Sequence, residues 1–181
     1  SNAEIGQPAE SDYVDCREGY AIGYSYELKA AEWVAYKLPR QKVIDNFRED
    51  LEIPEQFRAY PADYDEPVYE QGHLANSESV DGSPNAMDET FYMSNMVPQI
   101  PRHNKGIWKG LENRERKWAN KGGLVYVFAG PLYEGEVRHL GINNVPVPSH
   151  MWKVIYGPAA GDAIAYLVII PGFEMSGFVR F

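Results

Sequence analysis

Short runs of aromatic and β-branched residues, separated by turn signals, alternate with polar positions over much of the chain. Residues 20–26 and 32–38 are two such runs, and their length and composition predict an antiparallel pair of strands. Residues 124–131 form a continuous apolar run, which is typical of a strand buried on both faces. Further strand candidates lie at 145–148, 152–156 and 163–170.

Helical periodicity is clearest from Asn104 to Asn120. Ile107, Leu111 and Trp118 recur there at spacings of four and seven residues, and Gly122 with Gly123 supplies a stop signal. We therefore expect one long helix whose apolar stripe contains these three residues.

The region between the first strands and this helix has weaker patterns. Residues 40–67 contain three prolines and indicate an irregular excursion over the surface. A short strand is predicted at 70–74, where Gly72 indicates a bulge or a close backbone approach. A short helix is predicted at 86–90.

These elements predict an α+β fold with a central, mainly antiparallel sheet flanked by few helices. The length and the absence of repeats or long linkers indicate one domain, residues 13–181, after a flexible segment 1–12. The first residues, Ser1 to Ala3, resemble the scar of a cleaved expression tag. No apolar run approaches the roughly 18 residues of a membrane span.

The charge of the chain is unevenly distributed. The net charge is −9, from 17 Lys and Arg against 26 Asp and Glu, and a uniform field of that sign would repel nucleic acid. Residues 102–121, however, contain seven basic and two acidic residues, so this segment is strongly positive. It is either an ordinary solvated helix face or a surface for an anionic partner.

Two reactive residue types stand out only weakly by themselves. Cys16 is the single cysteine and cannot form an internal disulfide, so a structural thiol is the simplest interpretation. His73 follows Gly72, and its ordinary pKa near 6.5 suits a general base, but taken alone this pair favours a buried structural histidine.

Three motifs in succession change this picture. They are Gly72-His73, Asn95-x-x-Pro98-Gln99, and Asn104-x-Gly106-x-Trp108-x-x-Leu111-Glu112-x-x-x-Arg116. In this order they resemble the DNA/RNA non-specific endonuclease family, over about residues 24–153. The resemblance implies a ββα-metal (His-Me finger) fold and a sequence-nonspecific endonuclease that hydrolyses phosphodiester bonds of DNA, RNA or both.

The resemblance also implies roles for particular residues. His73 would activate the attacking water, and Asn104 would be the one direct protein ligand of Mg²⁺, or of Mn²⁺ or another divalent ion. Glu112 would orient a metal-bound water, and Arg116 would stabilise the phosphate. Asn95 would organise the site. From the residues alone, Glu112 and Arg116 fit a simple salt bridge at i,i+4 equally well.

The chain departs from the family pattern directly before the histidine. The family has Asp-Arg there, and this sequence has Glu70-Gln71. Glu70 retains the acid as a site-organising residue, while Gln71 retains hydrogen bonding without the charge. Arg102 and Lys105, with Gln71, are therefore candidates for phosphate binding. His103 is a further source of a replacement cation. The family also has a basic residue shortly before a Phe-Arg-x-Asp-like stretch, here residues 47–50, and Arg40 and Lys42 are candidates for it.

Other interpretations stay open at this point. One is a catalytically weakened or inactive member of the fold that binds nucleic acid or a protein. Another is a metal-independent hydrolase that uses Ser94 or Ser149, although no Gly-x-Ser-x-Gly motif is present. A third is a structural module. The family resemblance favours a secreted or periplasmic bacterial enzyme without a membrane partner, whose signal peptide lies outside this sequence.

Overall fold

The computed structural model describes residues 6–37, 45–80, 83–170 and 178–180, with only the backbone described at 37 and 178–180. A seven-stranded antiparallel sheet is its main element. Across the sheet, the strands run in the order β1 (Tyr13–Cys16), β2 (Tyr20–Ser25), β3 (Ala30–Lys37), β6 (Tyr126–Leu132), β9 (His150–Gly157), β10 (Asp162–Ile169) and β11 (Phe178–Arg180).

Two small ribbons lie outside this sheet. Strands β4 (Glu70–His73) and β5 (Met96–Gln99) form an antiparallel pair, as do β7 (His139–Leu140) and β8 (Val145–Pro146). The helices are α1 (Pro84–Glu89) and α2 (Lys109–Gly122), and a π-helical turn, His103–Trp108, leads directly into α2. Short 3₁₀ turns lie at Glu55–Phe57, Pro61–Tyr64 and Met93–Asn95.

The predicted fold class is confirmed, and so are the main strands. The β2–β3 pair is antiparallel, and β6 lies at the centre of the sheet between β3 and β9, which explains its continuous apolar run. The strand predicted at 145–148 is shorter, because pairing with β7 ends at Pro146. No helix of the described residues is long and apolar enough to cross a membrane.

The predicted long helix needs two corrections. Its first turn is π-helical, so the α-helical spacing assumed from Asn104 onward begins only at Lys109. Trp118 is 37% exposed and does not belong to the core stripe. The buried positions on this face are Trp108, Leu111, Glu112 and Glu115, an i, i+3, i+4, i+7 pattern in which two members are acidic.

The irregular segment before β4 also differs from expectation. Its described part, residues 45–67, has no long element, as predicted, but it is not only a surface excursion. Ile53 belongs to the main core, while Ala59 and Tyr64 form a second cluster with Met93 and Met96. This segment therefore packs under the turn that leads into β5.

Candidate active site

His73 ends β4, and its side chain lies in an apolar surrounding. The Phe91 ring meets the imidazole edge-on at 5.0 Å between centroids, and Phe47 lies 5.8 Å away. The Nε2 atom is buried and has no hydrogen-bond partner among the described residues. Desolvation lowers the pKa of His73 to about 4. The imidazole is therefore neutral at physiological pH and has a nitrogen available for a proton.

Asn95 fixes the chain that leaves His73. Its Oδ1 accepts a 2.9 Å hydrogen bond from the Ala75 backbone N–H, and its Nδ2 donates to the carbonyls of Ala75 and Thr90 at 2.9 and 2.8 Å. The side chain is wholly buried. Asn95 thus joins the exit of β4 to the end of α1.

Asn104 lies in the π-helical turn opposite β4. Its Nδ2 donates a 3.1 Å hydrogen bond to Oε2 of Glu70, and the other carboxylate oxygen of Glu70 pairs with Nζ of Lys105. Among the described residues, no donor contacts Oδ1 of Asn104. Glu70 therefore fixes the rotation of the amide and leaves its oxygen available to a ligand.

The side chain of Asn76 contacts both Arg116 and Glu112 of α2. Its Oδ1 accepts a 2.9 Å hydrogen bond from Arg116, and its side chain also hydrogen-bonds Glu112. Arg116 forms its ion pair with Glu78, at 2.9 Å, so the simple i,i+4 salt bridge to Glu112 is absent. Asn76 follows His73 by three residues, so Arg116 and Glu112, which contact Asn76, lie beside the exit of β4.

Glu112 is a buried carboxylate, only 5% exposed. The pKa of Glu112 is raised to about 7, mainly because the carboxyl group is buried. The positive charge of Lys153 opposes this rise, and the negative charge of Glu115 contributes to it. A cation close to Glu112 would favour the ionised form again.

A buried network connects α2 to the sheet. Lys153 and Glu115 are both 0% exposed and form a 2.8 Å ion pair. Glu115 also accepts 2.8 Å hydrogen bonds from the hydroxyls of Tyr36 and Ser79. The ammonium group of Lys153 lies 4.5 Å from the Trp108 ring centroid. These contacts hold the inner face of α2 at a fixed position on β3 and β9.

Gln99 links the hairpin to the π-helical turn from the other side. Its Oε1 lies 2.8 Å from Nδ1 of His103, whose ring stacks on Trp108 at 5.8 Å. A Cβ at Gly72 would come within 2.2 Å of the Gln99 amide, so the predicted close approach is to this side chain. The β4–β5 register is regular, and Gly72 is not at a bulge.

The structure thus brings the sequence-predicted residues into two connected groups. Glu70, Asn104 and Lys105 form one, Glu112 and Arg116 form the other around Asn76, and His73 lies on the strand between them. Gln71 is half-buried on β4, and Arg102 is exposed beside the π-helical turn. Arg40 and Lys42 lie outside the described residues.

Sequence reasoning missed Asn76, Glu78, Ser79 and Glu115. Their signal is weak because polar residues in a loop, or a Glu in a charged helix, predict solvent exposure. Lys153 lies in the strand predicted at 152–156, but its full burial was not evident from the sequence.

Comparison with known proteins shows which family has this arrangement of strands and helix. The family model described as DNA/RNA non-specific endonuclease matches residues 2–177. The chain belongs to this family. The hairpin β4–β5 followed by the π-helical turn and α2 is accordingly the ββα unit that the sequence predicted, with His73 on its strand and Asn104 at the start of its helical part.

Two similar proteins of known name are nucleases. The chain is 34% identical to the human protein named mitochondrial endonuclease G, over 90% of this chain and 60% of that protein. It is 33% identical to nuclease C1 of Cunninghamella echinulata var. echinulata, over 90% of this chain and 72% of the relative. The chain therefore spans about three fifths of the length of human endonuclease G.

A solved structure supports the same assignment. The chain resembles a protein in the crystal structure titled as the EndoG/EndoGI complex, on the mechanism of EndoG inhibition, with a TM-score of 0.86 and 28% identity. The similarity covers 95% of this chain and 79% of that one. Nearly all of this chain thus shares the fold of that protein.

Proposed function

We propose that this chain is a metal-dependent, sequence-nonspecific endonuclease that hydrolyses phosphodiester bonds of DNA, RNA or both. One observation carries the proposal: the half-buried, neutral imidazole of His73 lies on the strand of the same ββα unit that presents Asn104, whose Oδ1 has no donor among the described residues. A proton acceptor and a hard oxygen ligand are the two groups that this hydrolysis needs from the protein.

The donor set fits a hydrated divalent cation such as Mg²⁺. The described residues contain no cluster of three or more His, Cys, Asp or Glu that could form an all-protein cage. A single amide oxygen suits Mg²⁺, which dehydrates reluctantly and keeps several waters. The raised pKa of buried Glu112 fits as well, because a nearby cation would stabilise its ionised form. Asn104 would hold the ion, and Glu112 would lie beyond its waters.

When bound, the cation supplies Lewis-acid stabilisation of the charge that develops on the phosphate and the leaving oxygen. His73 accepts a proton from the attacking water on its imidazole ring. Its apolar surrounding keeps it neutral and therefore able to do so. The hydrogen bonds of Asn95 to Ala75 and of Trp108 to the His73 carbonyl fix the end of β4, which carries His73.

Arg116 and Glu112 complete the charge arrangement. Arg116 is tied to Asn76 and Glu78, so its guanidinium is held in place to stabilise a phosphate oxygen without further ordering. Glu112 accepts hydrogen bonds in its ionised form and orients water next to Asn104. Neither side chain reads a base edge, which supports cleavage without sequence specificity.

The phosphate-binding group next to His73 is the part that differs from the family pattern. Gln71 offers an uncharged donor, and the ammonium of Lys105 is engaged by Glu70. Lys105 is exposed, so a phosphate can compete with Glu70 for it. Arg102 is exposed next to it and supplies a second positive charge.

Digestion of supercoiled plasmid and of a structured RNA, with Mg²⁺ or Mn²⁺ and with chelator, tests the proposal. His73→Ala should lower the cleavage rate about 10²- to 10⁴-fold. Asn104→Ala should lower it and also weaken Mn²⁺ binding, measured by titration calorimetry. His139→Ala, a change of an exposed histidine on β7, is the matched control and should cleave normally.

Two results would overturn the proposal. Folded wild-type protein that leaves both substrates intact across several divalent ions would indicate a silent binding module. Cleavage that survives chelation would instead favour a metal-independent hydrolase that uses Ser94 or Ser149.

A further inference from the structure

The exposed face of α2 carries one sign of charge. Lys109, Lys117 and Lys121 are exposed, and together with exposed Asn113 they form a single i,i+4 row along the helix. The only acids of α2 are Glu112 and Glu115, and both are buried. Folding therefore removes every negative charge of this helix from its solvent face.

Such a row is unfavourable for the helix itself. Lys117 and Lys121 are one i,i+4 pair of like charges, a spacing that destabilises a helix, and solvated helix faces ordinarily mix both signs. Among the described residues, none of the three lysines forms an ion pair with a carboxylate, whereas Lys105 and Arg116 do. The row is thus a set of unneutralised charges on a protein whose net charge is −9.

The row begins at the candidate active site. Lys109 follows the π-helical turn that contains Asn104, and the Nη2 of Arg116 donates to Oδ1 of Asn113, which lies in the row. From Lys109 to Lys121 the row rises about 18 Å at 1.5 Å per residue. At 3.4 Å per nucleotide of a duplex strand, this length corresponds to about five nucleotides.

We propose that this lysine row is a binding surface for the nucleic-acid backbone that extends beyond the cleaved bond. The inference rests on the proposed function and deepens it, since it assigns a path to the substrate. Charge complementarity identifies the occupant: a polyanion with regularly spaced phosphates matches a straight row of ammonium groups on an otherwise acidic protein. The enzyme therefore prefers long substrates to short ones.

The test compares substrates that can and cannot reach the row. The triple variant Lys109→Gln, Lys117→Gln, Lys121→Gln is assayed on a 30-base-pair duplex and on bis(p-nitrophenyl) phosphate, which spans only the cleaved bond. The ratio of kcat/KM on the duplex to kcat/KM on the small diester should fall at least tenfold. Lys29→Gln, in the turn between β2 and β3, is the matched control and should keep the wild-type ratio.

The salt dependence of duplex binding gives a second readout, which a smaller fraction of folded protein would not change. Fluorescence anisotropy of the labelled duplex in chelator should show a logarithmic salt slope that is shallower in the triple variant by up to about 2.7, since each lost phosphate contact contributes about 0.9. Circular dichroism should show unchanged helix content, because all three lysines are exposed.

The outcomes separate the two proposals. An unchanged ratio and an unchanged salt slope, in a wild-type protein that cleaves both substrates, overturn the lysine row as a binding surface. A wild-type protein that cleaves neither substrate overturns the proposed function itself.

Discussion

The indole Nε1 of Trp108 donates a 3.0 Å hydrogen bond to the backbone carbonyl of His73. This bond joins the helical part of the ββα unit to the strand that carries the candidate base. Trp108 is wholly buried, with the Lys153 ammonium over its ring and His103 stacked against it. The position of His73 therefore depends on how Trp108 is packed.

Replacing Trp108 with Phe removes this hydrogen bond and keeps an aromatic ring. The free energy of unfolding should fall by about 1–3 kcal/mol, since the buried carbonyl of His73 loses its partner. The cleavage rate kcat should fall as well, because the strand that carries the base is no longer held.

Trp118→Phe is the matched control on the same helix. Trp118 is 37% exposed, so this change should alter the unfolding free energy by less than about 0.5 kcal/mol. Urea denaturation and steady-state kinetics measure both quantities. Equal kcat in wild type and Trp108→Phe would show that the hydrogen bond does not position His73.

The buried pair of Lys153 and Glu115 should be strongly coupled in folding. Lys153→Met alone leaves an uncompensated buried carboxylate and should cost about 3–5 kcal/mol. Adding Glu115→Gln removes that charge and keeps an acceptor for the hydroxyls of Tyr36 and Ser79. The double variant should therefore lose less than the sum of the single losses, by about 1–3 kcal/mol. Additive losses in a urea double-mutant cycle would contradict this coupling.

Glu112 should make stability depend on pH in a defined direction. Its pKa is about 7 in the folded protein and 4.5 for the free group, so the folded state binds more protons between these values. The stabilising contribution of Glu112 is thus present below pH 4.5 and is lost as pH rises through about 7. Relative to wild type in chelator, Glu112→Gln should gain about 2–3 kcal/mol of unfolding free energy from pH 4.5 to 8.

Mg²⁺ provides a control within the same experiment. A cation near Glu112 favours its ionised form, so adding Mg²⁺ to wild type should move the transition to lower pH. A pH-independent difference between wild type and Glu112→Gln would mean that Glu112 keeps an ordinary pKa.

Gln71→Arg restores the charge that the family pattern has next to the histidine. Gln71 is half-buried on β4 opposite Pro98, beside the residues that hold Asn104. A guanidinium there would stabilise the developing phosphate charge, and kcat should rise, by up to about 10²-fold if the geometry is favourable. Gln71→Met, with similar length and no donor, is the counterpart and should lower kcat. If Arg and Met give the same rate, position 71 does not contact phosphate.

Sequence patterns predicted the sheet well because alternation and apolar runs report directly on burial. The continuous apolar run at β6 and the run at β2, both buried along most of their length, are examples. The family motifs also placed His73, Asn95 and Asn104 on one local unit. The motifs and patterns did not predict which residues of α2 are buried against the sheet.

That failure has a physical cause. Hydrophobic spacing selected Trp118 as a core residue, yet the buried position is occupied by Glu115, whose charge is compensated by Lys153 from a strand 38 residues away. A pattern read along one element cannot show a partner from another element. Likewise, the pairing of Arg116 with Glu78 and Asn76 depends on the loop after β4, which has no periodic signal.

The π-helical turn at His103–Trp108 determines how Asn104 and Glu112 can be transplanted. A π turn accommodates one residue more than an α turn, so winding the same residues as a regular α-helix would rotate Asn104 by about 100° relative to α2. A scaffold with a regular α-helix would then direct the Asn104 amide away from Glu70 even with every site residue retained. Any engineered graft of this catalytic unit must therefore copy a backbone irregularity, and not only a list of side chains.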